Sequence, residues 1–102
     1  MQKITLWNGY DIYYNDDIVI AEINFKMYQL PIIKNKWNIT DITDTTIPEN
    51  LRPATPVTCR NDGTGQIWLK IKPDGYLDVY STKDWSDDKE IPLRATMVWR
   101  KK

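Results

Sequence analysis

No histidine occurs in this chain, so the commonest general base and the commonest metal ligand are both missing. That removes Ser–His and Cys–His nucleophile pairs outright. Serine occurs only as Ser81 and Ser86, and neither lies in a nucleophile motif. The one cysteine, Cys59, excludes an internal disulfide framework. In VTCRN it alternates in phase with Val57, which predicts a small buried side chain. Two adjacent carboxylate pairs, Asp16–Asp17 and Asp87–Asp88, fall in polar, turn-like stretches where carboxylates are ordinarily solvated, and no EF-hand spacing surrounds them. The expectation is a protein that is not an enzyme and uses neither a metal nor a cofactor.

The chemistry that remains is recognition by aromatic rings. The chain holds five Trp, six Tyr and one Phe, more than a domain of this size easily hides in its own core. Trp85 lies in KDWSDD among carboxylates. It reads either as a plug over a core edge or as a sugar platform, with Asp84, Asp87 or Asp88 accepting hydrogen bonds from hydroxyls. Trp7, Tyr10, Tyr13 and Tyr14 crowd the N-terminal region and read as edge packing.

The elements that must position these rings are almost all strands. Helical periodicity is weak, while β-branched and aromatic residues abound. ITLW (4–7) and DIYY (11–14) flank an NGY turn, and NDD (15–17) is a turn cluster. IVIAEINFKM (18–27) is the longest strand candidate, with Val19, Ala21, Ile23, Phe25 and Met27 on one face. LPII (30–33) suits a short edge strand. TDITDTTIPENLRPATP (40–56), with three prolines, suits a loop over the surface. VTCRN (57–61), the turn DGTG (62–65), QIWLKIK, YLDVYS and IPLRATMVW (91–99) complete an all-β reading: one domain over 1–102, an antiparallel β-sandwich or jelly roll with little or no helix. Leu93, Ala95, Met97 and Trp99 share one face of the last strand.

Acidic and basic residues balance at 14 each, which gives no electrostatic reason to expect nucleic acid or an anionic membrane as partner. No run approaches the ~18 apolar residues of a membrane span, and MQKITLW lacks the apolar core of a signal peptide. Synthesis in the cytoplasm is expected.

The turn KPDGY (72–76) fixes which rings share a face. A two-residue Asp74–Gly75 loop would set Ile71 against Asp78, an acid opposite a core residue. A three-residue loop, Pro73–Asp74–Gly75, pairs Lys72 with Tyr76 instead; proline presets the first turn residue and glycine takes the left-handed position. Ile71 then faces Leu77 and Leu69 faces Val79 on one side. Lys70 faces Asp78, as a cross-strand ion pair, and Trp68 faces Tyr80 on the other. This predicts a non-core face carrying Trp68, Tyr76 and Tyr80. It could be half-covered by a loop of the same chain, meet an identical subunit, or stack on a sugar. With Trp85 and Asp87, these three are the candidate saccharide-binding residues.

IPENLRPATPVTCRNDGTGQIWLKIKPDGYLDVYS (47–81), followed by IPLRATMVW, resembles the C-terminal head domains of tail-fibre and receptor-binding proteins of tailed bacteriophages. There an IP…RP loop leads into a strand, a Gly-containing turn joins two more strands, and a final strand closes the domain. The likeness covers residues 47–99. It implies a β-sandwich head, a homotrimer at the virion's tail tip among other tail proteins, that adheres to a bacterial cell-surface saccharide. No motif of that family fixes the ligand contacts. Ile47–Pro48 and Arg52–Pro53 carry over as a structural loop, in which Arg52 is either a subunit contact or a salt-bridge partner of Glu49. No stem, coiled coil or collagen-like repeat is present, so an excised head and a small free-standing subunit both fit. Two rivals stay open: a structural virion or baseplate component whose aromatic face only joins subunits, and a monomeric carbohydrate-binding module.

Overall fold

The computed structural model describes residues 1–27, 33–40, 46–62, 66–83 and 90–101. Eight strands follow in chain order: β1 (Gln2–Trp7), β2 (Tyr10–Tyr14), β3 (Ile18–Met27), β4 (Trp37–Ile39), β5 (Val57–Arg60), β6 (Ile67–Ile71), β7 (Leu77–Ser81) and β8 (Ile91–Arg100). Among the described residues of the β4–β5 connection, Glu49–Leu51 form a 3-10 turn. Two antiparallel four-stranded sheets result, in the orders β1-β2-β3-β8 and β4-β7-β6-β5. The first is a meander closed by the last strand. The second is a Greek key, with three consecutive strands and β4 returning beside β7. The all-β sandwich expected from the sequence is therefore the fold.

Period-two patterning explains the pairing. β3 and β8, ten residues each, pair along their whole length from Ile18–Arg100 to Met27–Ile91. Val19, Ala21, Ile23 and Met27 meet Leu93, Ala95, Met97 and Trp99 on the buried side, while Phe25 is only half-buried. Across the interior stand Ile67, Leu69, Ile71, Leu77 and Val79 of the second sheet. Asn15 shapes the β2–β3 turn, its side-chain oxygen accepting from the amides of Asp17 and Ile18.

The KPDGY turn takes the three-residue form. The amide of Gly75 donates to Lys72 O at 2.8 Å, that of Lys72 donates to Tyr76 O at 3.0 Å, and Gly75 has φ +87°. Ile71 faces Leu77, Leu69 faces Val79, Lys70 faces Asp78 and Trp68 faces Tyr80.

Three expectations change. The 40–56 stretch is not simply a surface loop, because Ile47, Leu51 and Pro53 are buried in its described part. Trp99 reaches across to donate its indole N–H to Leu51 O at 2.8 Å, and Ile47 N donates to Gly75 O, which docks the turn of β6–β7 on this plug. Arg52 forms no ion pair with Glu49; its Nε donates to Ile47 O at 2.7 Å and closes the loop on itself. Cys59 is half-buried against the core rather than fully buried. Residues 30–32 of LPII and 63–65 of DGTG lie outside the described residues.

The two sheets are stitched along β5 and β8 by Asn61. This buried side chain substitutes for a strand residue: Nδ2 donates to Pro92 O at 2.9 Å, and Oδ1 accepts from Arg94 N at 2.7 Å. Beside it, Asp62 N donates to Arg94 O at 2.8 Å.

Candidate functional site

The outward face of the second sheet gathers the rings. Side chains alternate across a strand, so with Leu69, Ile71, Leu77 and Val79 inward, Trp68, Lys70, Asp78 and Tyr80 must point outward. Registers with the neighbours extend this into rows. Trp37 of β4 pairs with Tyr80 of β7, Tyr80 with Trp68 of β6, and Trp68 with Arg60 of β5, so one row crosses all four strands. The next row runs Ile39, Asp78, Lys70, Thr58.

The rings in the first row touch. Trp37 and Tyr80 have centroids 5.3 Å apart at 51°, and Tyr80 meets Trp68 edge-on at 6.3 Å. Both arrangements match the offset and T-shaped geometries that ring quadrupoles favour. Cations attend both ends: the Arg60 guanidinium lies 6.0 Å from the Trp68 centroid, and the Lys70 ammonium 4.1 Å from that of Trp37. Trp37, Trp68 and Tyr80 are all half-buried, so each keeps ring surface toward solvent.

The expected ion pair is rearranged. Lys70 faces Asp78 in register, but its ammonium crosses β7 to Trp37. Asp78, only 6% exposed, is instead charge-paired with Lys72, Oδ1 to Nζ 3.3 Å, without the alignment of a hydrogen bond. Lys72 also reaches Asp74 at 3.6 Å and lies 5.7 Å from the Tyr76 ring centroid. Lys72 takes the diagonal acid, and Lys70 lays its ammonium on an indole face instead.

The structure thus brings Trp68 and Tyr80 together and places Tyr76 on the same face, but about 13 Å along the strand from Tyr80, bound up with Lys72. Trp85 and Asp87 lie outside the described residues. Sequence reasoning missed Trp37 and Arg60. Arg60 was legible, since it alternates with Cys59 and pairs into the Trp68 row. Trp37 was not, because its place depends on β4 crossing to the far side of β7.

The N-terminal aromatics separate. Tyr10 is a core residue stacked on Phe25 at 6.2 Å; its hydroxyl is buried without a partner, and burial pushes its ionisation well above the ordinary tyrosine range. Tyr14 donates to Gln2 Oε1 at 2.7 Å, and Tyr13 sits under Lys3. Trp7 is 51% exposed and lines a shallow groove with Asn8, Asn24, Phe25 and Lys26. Ser81 is buried and folded onto its own backbone, Oγ donating to Lys83 O at 2.7 Å. Burial, with the Asp62 charge second, pushes the Cys59 thiol up. Among the described residues no three His, Cys, Asp or Glu side chains gather as a metal-ligand set.

Neither a protein-family model nor a curated protein matches this chain.

Proposed function

We propose that this chain is a non-enzymatic receptor-binding domain that holds a cell-surface saccharide on the outer face of its second sheet. The observation that carries the reading is the Trp37–Tyr80–Trp68–Arg60 row. Sugar rings have apolar C–H faces that lie on aromatic surface, and hydroxyl rims that need charged or amide partners beside it. A rigid sheet supplies that combination at little entropic cost, because the strands already order the rings. The likeness of residues 47–99 to phage head domains supplies the biological setting: a homotrimer at the tip of a tail fibre, among other tail proteins, adhering to a bacterial glycan.

The test combines two measurements. Light scattering on the purified chain is expected to give a mass near three times 12.1 kDa. Trp68→Ala and Tyr80→Ala are expected to abolish binding to host cells or isolated wall polysaccharide while the oligomer stays intact. Binding that survives both substitutions refutes the site.

A second reading has its own support. Ile39 is 52% exposed in the row beside Trp37, and an aliphatic side chain there suits a protein contact better than a sugar. On that reading the face joins subunits of a virion component, and Trp68→Ala dissociates the oligomer. A monomer that binds saccharide would instead indicate a solitary carbohydrate-binding module.

A further inference from the structure

We infer that the saccharide bound on this face carries an anionic substituent, a carboxylate or an esterified sulfate or phosphate, and that Lys70 receives it. The inference rests on the reading of the face as a glycan site and concerns the chemistry of the ligand.

The argument begins with charge placement. Lys70 stands directly across from Asp78, the position where a cross-strand ion pair would form. Asp78 is instead charge-paired with Lys72, which Asp74 also approaches. One lysine bracketed by two carboxylates leaves that corner with a surplus of negative charge. Among the described residues no carboxylate lies within ion-pair distance of Lys70. Its ammonium rests 4.1 Å from the Trp37 centroid, inside the aromatic row.

An ammonium has three donors and no acceptor. Seated on an indole face it spends one side on the ring and keeps the other toward whatever occupies the row. A neutral sugar lying on Trp37 and Tyr80 can meet this cation with hydroxyl oxygens only, which leaves the partly desolvated charge without a counter-charge, and that is costly. An anionic group on the sugar removes that cost, because it meets the ammonium while the ring meets the aromatics. The charge is local: Lys70 lies in the rings and the acids Asp74 and Asp78 lie toward Tyr76. An isolated anionic group fits such a pattern. A continuous polyanion such as single-stranded nucleic acid would run onto the acids, and the chain as a whole has zero net charge.

The test uses short oligosaccharides of matched length, neutral (lactose, maltotriose) and carrying a single anionic group (lactose 6-phosphate, 3′-sialyllactose), titrated into isotope-labelled protein while the tryptophan indole signals are followed. Oligothymidylate serves as the non-sugar polyanion. Wild type is expected to bind at least one acidic oligosaccharide about tenfold more tightly than the neutral ones, with affinity falling as salt rises. Lys70→Gln is expected to erase that preference, Lys70→Arg to retain it, and Tyr80→Ala to lose binding of every sugar. Neutral sugars that bind wild type and Lys70→Gln alike, but not Tyr80→Ala, overturn the anionic inference and leave the glycan face standing. Absence of binding by all sugars, or binding indifferent to Tyr80→Ala, overturns the face and the inference together. Oligothymidylate binding as tightly as the acidic sugars overturns the choice of a saccharide.

Discussion

Replacing Asn61 by alanine should loosen the join between the two sheets. The side chain is 2% exposed and makes two bonds to one strand, to Pro92 O at 2.9 Å and from Arg94 N at 2.7 Å. Each buried hydrogen bond contributes about 1 kcal/mol net, and a buried group left without a partner costs about 1–3 kcal/mol. Arg94 is exposed, so water can reach its amide once the side chain is gone. The Pro92 carbonyl is the group more sheltered. The expected loss is therefore about 2–4 kcal/mol, below the sum of two full desolvation penalties. For a domain of about this length each kcal/mol lowers Tm by about 4–8 °C, so thermal unfolding followed by circular dichroism should shift down by at least about 8 °C. Asn61→Asp sharpens the test. It keeps the acceptor for Arg94 N but sets a carboxylate against the Pro92 carbonyl. Its deficit should shrink on acidification, because only the protonated carboxyl can donate there. A shift below about 3 °C for Asn61→Ala would refute the claim that this amide stitches the sandwich.

Other outcomes follow from single residues. Tyr10→Phe should be neutral or stabilising by about 1 kcal/mol, since it removes a buried hydroxyl that has no partner; a loss above about 1 kcal/mol in urea unfolding would contradict this. Because burial raises the ionisation of Tyr10 in the folded state, the stability it contributes is complete below the unfolded tyrosine value of about 10 and is lost as pH rises through that value toward the folded one. Wild type should thus weaken in alkali more steeply than Tyr10→Phe, which unfolding at stepped pH will measure. Gly75→Ala should cost at least about 1–2 kcal/mol: φ is +87°, and a Cβ would meet Arg52 Nε at 2.6 Å and Ile47 O at 2.9 Å, so wild-type stability in the variant would contradict the docking of turn on plug. The Cys59 thiol should react with a disulfide reagent more slowly than a free cysteine near neutral pH, its rate rising at higher pH, because burial and Asp62 disfavour the thiolate.

Local chemistry determined much of the fold by itself. Alternation in IVIAEINFKM and IPLRATMVW specified two strands and their buried faces, because a strand has only two sides and a one-residue slip would expose every core residue. Pro73, Asp74 and Gly75 specified a turn, the turn a register, and the register the meeting of Trp68 and Tyr80. These inferences worked because they span a few residues and obey steric rules. The tertiary structure decided what distant segments do to each other. It set Trp37 beside Tyr80, moved the ion pair of Asp78 from Lys70 to Lys72, and buried Ile47 and Leu51 in what read as a surface loop. Long side chains choose among several partners within reach, and only the assembled sheets define which are present. The sequence determined that rings would face outward; the packing of β4 against β7 decided that they form one row with a lysine held inside it.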